Sequence, residues 1–215
     1  MNAPFRPDED ACVEDLEQYR ILDTLPERDY DDLTRLATRV LDAPIALISF
    51  VTRDRQWFKA RCGTEVEGSP RDQSFCAWAI LDPSEVMVVE DASTDPRFED
   101  NGFVTNAPFI RFYAGAPMVN RAGRPLGTLC VLDVRPRALS EEDTEALRAL
   151  ARQATNLLEL RRSVIELEHE RDRLREANDD LARARRQLSQ LLDNVDGPGG
   201  PDEYFEPASP PRRDG

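Results

Sequence analysis

The chain has 215 residues, in which 42 Asp and Glu face 28 Lys and Arg, for a formal net charge of −14. Nucleic-acid phosphates and anionic lipid repel such a chain, and no basic stripe with interleaved aromatics offsets this, so neither nucleic acid nor membrane is an expected partner. No stretch is apolar for long enough to span a bilayer, and "MNAPFRPDED" has no signal-peptide core, so a cytoplasmic location is expected.

Residues 1–7 carry no periodic pattern and are expected to be disordered. A globular region is expected over 8–156. "PDEDACVEDLEQYRILDTL" places Val13, Leu16 and Ile21 near helical spacing, with acidic residues crowding its start, where they complement the helix dipole. "ERDYDDLTRLATRVL" sets Tyr30, Leu33, Leu36 or Ala37 and Val40 or Leu41 on one face of a second helix. "IALISFV" and "QWFKARCG" flank a short polar turn and read as a β-hairpin, with Lys59 read as a solvated base. "AWAILDP" reads as a short helix, "EVMVVED" as a third strand, "IRFYAGAPMVN" as a fourth and "LGTLCVLDV" as a fifth. The long tract "ASTDPRFEDNGFVTNAPF" between them is rich in turn residues. Ser140 caps a last helix, with Asp143 three residues on. The fold class is therefore α+β: an antiparallel sheet of about five strands flanked by helices, followed by a long C-terminal coiled-coil helix.

The segment 157–195 has no Pro or Gly, and Leu recurs every seventh residue at Leu160, Leu167, Leu174, Leu181 and Leu188. With Leu157 as heptad position a, these are d positions, and Asn178 falls at a. A self-pairing Asn in the seam fixes register, and Arg171 and Arg185 can lay their stems along it. A parallel homodimer is expected, with Leu160, Leu167, Leu174, Asn178, Leu181 and Leu188 at its interface. The alternative is a single solvated, charge-laced helix. The Pro- and Gly-rich 196–215 is expected to be disordered.

Several blocks, "ILDTLPERDYDDLTRLATRVLDAPIALISFVTRDRQWFKARCG", "SFCAWAI", "VVEDASTDPRFEDNGFVTNAPFIRFYAGAPMV" and "GRPLGTLCVLDVRPRALSEED", resemble the GAF domains of bacterial signalling proteins, found upstream of histidine kinases and diguanylate cyclases. The likeness covers roughly Leu16 to Leu160. It implies helices on one side of an antiparallel sheet, a small-molecule pocket on the other, and a regulatory role. Many relatives carry His where this chain has Trp78, so a titratable group is missing from the pocket region.

The candidate ligand-binding residues are Phe75, Cys76, Trp78, Arg97, Phe98, Arg111 and Tyr113. Arg97 or Arg111 could hold an anion while the aromatics stack on an apolar body. Alternatively, the arginines pair with Asp91, Asp95 or Asp100 to pin the long loop, and the aromatics fill the core. Cys76 lies among apolar neighbours, which suits pocket-wall packing, and a redox-sensing thiol is the other reading. Cys130 reads as a core strand residue and Cys62 as the most exposed thiol. No CxxC pair occurs, and the single histidine, His169, lies in the charged helix at heptad position f, so no metal site is expected.

No catalytic residue and no cofactor are evident, although an unknown small-molecule ligand has a place in such a fold. The expected function is a sensor that binds a ligand or partner in its pocket and transmits the change through the coil. No output domain follows within the chain, so a separate kinase, cyclase or regulator is the expected signalling partner. Two alternatives stand beside this reading. A thiol-dependent enzyme such as a free methionine sulfoxide reductase requires two sulfurs within disulfide reach beside a cavity. A dimerisation scaffold requires a filled pocket.

Overall fold

The computed structural model describes residues 3–195, with side chains to Leu191. The segment 196–215 lies outside the described residues. Those described fall into two compact units divided after Val164.

The first unit is built on one antiparallel sheet with strand order β3-β2-β1-β6-β5-β4. The strands are β1 (Ile45–Val51), β2 (Arg55–Cys62), β3 (Gly68–Pro70), β4 (Met87–Val89), β5 (Phe112–Val119) and β6 (Pro125–Asp133). The helices are α1 (Glu9–Gln18), α2 (Arg28–Val40), α3 (Phe75–Ala79), α4 (Gly102–Thr105) and α5 (Glu141–Val195). The sixth strand is β3, a three-residue edge whose sequence, GSP, carries no alternating apolar signal. It forms because the chain returns alongside Arg55–Trp57 and offers them backbone partners.

Both faces of the sheet are covered, which explains why β1 and β6 are buried almost end to end. On one face Ala46, Ile48 and Phe50 of β1 and Leu129 and Val131 of β6 pack with α1, α2 and the start of α5, through Leu16, Ala37, Leu147 and Leu158. On the other face Ile45, Leu47, Cys130 and Leu132 meet α3 and the loops after β4, through Phe75, Cys76, Phe98 and Ile110. Alternation along each strand sorts these residues, since successive side chains point to opposite faces.

A bulge breaks that alternation in β2. Ile48 pairs with Ala60 and Ser49 with Phe58, leaving Lys59 without an opposite number. Lys59 therefore turns with Ala60 to the helical face. It is not solvated, as its charge suggested: its Nζ is buried and donates to Thr24 Oγ1 at 2.7 Å, Leu25 O at 2.7 Å and Glu27 Oε1 at 2.6 Å.

The chain near its start lies against the domain. Ala3 is buried against the second face, and Arg6 Nη1 donates to the carbonyls of Ile80 at 2.7 Å and Leu81 at 3.1 Å. The domain also runs past 156, because Leu158 is buried in its core and Leu157 packs beside it. Ser140 caps α5 as its sequence indicates, accepting from Asp143 N at 3.0 Å and donating to Asp143 Oδ2 at 2.7 Å.

The second unit is the remainder of α5. Its side chains from 166 to 191 are exposed save for a half-buried Ala182. Leu167, Leu174, Leu181 and Leu188 are all more than half exposed. Among the described residues no helix is long and apolar enough to cross a membrane, and no group of His, Cys, Asp or Glu is placed to hold a metal ion.

Candidate functional site

The face opposite the long helices holds a cavity of about 60 Å³. Ile45 and Leu47 of β1, Gln56 and Phe58 of β2, Cys130 and Leu132 of β6 and Tyr113 of β5 form its floor. Phe75 and Cys76 of α3 wall one side, and Thr64, Val66, Phe103, Pro108 and Ile110 close over it. Val66 and Pro108 are exposed, so the lining runs from the buried sheet out to solvent. The walls are mostly apolar. Ser69 Oγ, buried in the lining, has no hydrogen-bond partner among the described residues.

Local sequence explains how α3 presents its cysteine. Ser74 caps the helix, accepting from Ala77 N at 2.9 Å, while its own hydroxyl bonds to Gln56 Oε1. That fixes the first turn over the sheet and points Cys76 at β6. Cys76 Sγ lies 3.9 Å from Cys130 Sγ. Thr128 Oγ1 donates to Cys76 Sγ at 3.0 Å and Tyr113 Oη at 3.4 Å.

These donors decide the electrostatics. Burial pushes the Cys76 thiol up, but hydrogen bonds from Cys130, Ser49, Thr128 and Tyr113 to the thiolate outweigh it and hold the group near a pKa of about 7. Burial and the neighbouring Cys76 push Cys130 well above the usual thiol range, and the same two causes raise Tyr113. One sulfur of the pair is thus favoured as thiolate and the other as thiol.

The cover is pinned from within. Asn101 caps α4, accepting from Phe103 N at 2.9 Å, and its Nδ2 donates to Gln73 O at 3.0 Å. Arg111 Nη1 donates to the carbonyls of Val104 at 3.0 Å, Phe109 at 3.2 Å and Ile110 at 3.0 Å.

A sheet with helices on one side and a lined cavity on the other suits many chains, but a model of the GAF domain matches this one over residues 26–158. The chain belongs to the GAF domain family. Over 150 residues this GAF domain is 42% identical to a cyclic di-GMP phosphodiesterase of Pseudomonas aeruginosa, a match covering 69% of the chain and 25% of that protein. The chain therefore spans about a quarter of that relative's length. Among solved structures, the GAF domain of an Acinetobacter phosphoenolpyruvate-protein phosphotransferase superposes with a TM-score of 0.54 at 18% identity, over 70% of this chain and 96% of that one. A methyl-accepting chemotaxis protein segment gives a TM-score of 0.51 at 18% identity, over 73% and 97%. At such identity the structural likeness speaks for the fold alone.

Of the seven candidate residues of this GAF domain, Phe75, Cys76 and Tyr113 line the cavity. The other four do not. Phe98 is buried behind Phe75, their rings stacked at 4.1 Å between centroids. Trp78 packs edge-on against Phe98 at 6.1 Å. Arg97 is committed to Asp95, Nε to Oδ1 at 2.9 Å and Nη2 to Oδ2 at 2.6 Å, so it is no free anion holder. Arg111 is spent on the three carbonyls of the cover. Loop pinning is thus what both arginines do, because a long irregular segment leaves carbonyls and carboxylates that need donors. Cys130 was absent from the candidates. Its apolar strand context marked it as core, and only the pairing of β6 in the middle of the sheet sets it under α3.

Proposed function

We propose that this GAF domain is a cytoplasmic sensory input module of cyclic di-GMP signalling, paired with a second copy along α5. The 42% identity to the Pseudomonas phosphodiesterase carries the reading. The match takes in only about a quarter of that protein, a domain-sized segment, which supports a regulatory rather than a hydrolytic role here.

Pairing is supported by the exposed leucines. Leu160, Leu167, Leu174, Leu181 and Leu188 recur at heptad d positions and are each about 60–70% exposed, an apolar seam that a partner helix would cover. Transmission from the pocket face is supported by a chain of contacts. Phe58 lines the cavity, and its neighbour Lys59 holds Glu27 Oε1. The same oxygen accepts from Arg161 Nη1 of α5 at 3.0 Å. A shift in β2 would therefore be felt by α5 through one carboxylate.

The thiol-enzyme reading is the second. Its demand for two close sulfurs beside a cavity is met. Its substrate is poorly matched: an apolar cavity of about 150 Å³ holds benzene, and this one, at about 60 Å³, is smaller than free methionine sulfoxide needs for full enclosure. The scaffold reading loses force because a cavity exists, although the aromatic rings of Phe58, Phe75 and Tyr113 line it.

Deleting the gene in its own organism and measuring cellular cyclic di-GMP tests the pathway; a several-fold change is expected, and an unchanged level sinks it. Sedimentation of the purified chain tests the pairing, and single chains at working concentration would end it.

A further inference from the structure

We propose that Cys76 and Cys130 are a peroxide-reactive pair that closes to a reversible disulfide inside the pocket. This goes beyond the signalling role and holds whether or not α5 pairs.

The geometry carries it. The two sulfurs are in van der Waals contact at 3.9 Å, although they come from α3 and β6 and lie 54 residues apart in the chain. Both line one cavity that runs out to Val66 and Pro108. About 60 Å³ admits a molecule of a few non-hydrogen atoms, so hydrogen peroxide fits, whereas bulky disulfides such as glutathione disulfide do not. Ser69 Oγ, on a residue only 8% exposed and without a hydrogen-bond partner among the described residues, offers such a guest a hydrogen bond.

The chemistry divides between the sulfurs. Thr128 and Tyr113 donate to Cys76 and favour its thiolate, the nucleophilic form. The Cys76 thiolate attacks one peroxide oxygen and the O–O bond breaks. The departing hydroxide takes up a proton and leaves as water, and Cys76 becomes a sulfenic acid. The Cys130 thiol then attacks the Cys76 sulfur, the S–OH bond breaks, and the leaving hydroxyl takes the Cys130 proton as a second water. Two thiols lose two electrons, and one peroxide becomes two waters. A dithiol reductant reverses the bond by exchange. The other cysteines lack this arrangement among the described residues: Cys12 is buried, and Cys62, half-buried, lies 3.9 Å from Thr38 Oγ1.

The test is mass mapping of the full wild-type chain after graded hydrogen peroxide, with alkylation under denaturing conditions. The peptides bearing Cys76 and Cys130 should become linked, lighter by two hydrogens, in most chains, and dithiothreitol should restore both thiols. In the Cys130→Ser variant, a sulfenic acid should accumulate on Cys76, trapped by dimedone added with the denaturant. Two outcomes overturn the proposal: both thiols still free when Cys62 has been consumed, or Cys76 oxidised to sulfinic acid without a linked peptide. The wild-type mapping decides the matter even if the variant does not fold.

Discussion

The hydroxyl of Tyr113 lies in the space that Gly115 leaves open: a Cβ at 115 would overlap the phenol oxygen. Gly115 also sits opposite Cys130 in the register of β5 and β6. The missing side chain lets the Tyr113 ring lean along its strand until its hydroxyl reaches Cys76. Gly115→Ala should force the ring aside at a cost of about 1–3 kcal/mol, as overpacked cores do. Urea unfolding measures it, and an unchanged midpoint would show that the ring relocates freely.

Removing a donor should weaken the Cys76 thiolate. Thr128→Val deletes the 3.0 Å hydrogen bond, and the thiol pKa should rise from about 7. The pH dependence of Cys76 alkylation by a small reagent reports this as an upward shift of the midpoint. A midpoint that stays put would mean that Thr128 does not stabilise the charge.

Alkaline solution should destabilise the domain. Burial and the hydrogen bond to Glu159 raise Tyr19 from 10.0 to about 12, so the unfolded chain releases this proton first. That contribution is complete below pH 10.0 and is lost as pH rises towards 12. Tyr30 and Tyr113, raised mainly by burial, act in the same direction. Cys76, held low, acts oppositely between about 7 and 9.0. Urea midpoints should therefore fall steeply above pH 10, and Tyr19→Phe should flatten the slope.

Glu27→Gln removes the charge shared by Lys59 and Arg161. The Lys59 side chain is 0% exposed, so its ammonium would lose its one anionic partner among the described residues. Since Glu27 is itself 40% exposed, the loss should be about 1–3 kcal/mol rather than that of a fully buried pair. Lys59→Met should cost less than Glu27→Gln, because it removes the buried charge together with its need for a partner. Thermal unfolding of the two variants checks the order.

The seam makes its own prediction. With the proposed pairing along α5, Leu174→Glu with Leu181→Glu should convert dimers to single chains in sedimentation and lower the helical signal of the 165–195 segment, leaving the domain's thermal transition in place. Equal dimer fractions in variant and wild type would put the contact elsewhere.

Local pattern was enough for most of the architecture. Tyr30, Ala37 and Leu41 at helical spacing, the apolar run Ile45–Val51, the Ser140 cap and the sevenfold leucines each announce an element through neighbours a few residues away. Conformational preference and burial act at that range. The edge strand at Gly68–Pro70 escaped because its backbone pairing, not its side chains, makes it a strand. The turn of Lys59 to the helical face followed from a bulge, which a pattern of alternation cannot foresee. The site was the least legible part. Phe75, Cys76 and Tyr113 line the cavity, while Trp78, Arg97, Phe98 and Arg111 are taken up by the packing and the loop around it. Whether Cys130 meets Cys76 depends on how β6 registers between β1 and β5 and on where the Ser74 cap sets α3. Composition and spacing supplied the thiols, but only the pairing of distant strands could bring two sulfurs together, because contact at that separation is set by the sheet and not by the chain.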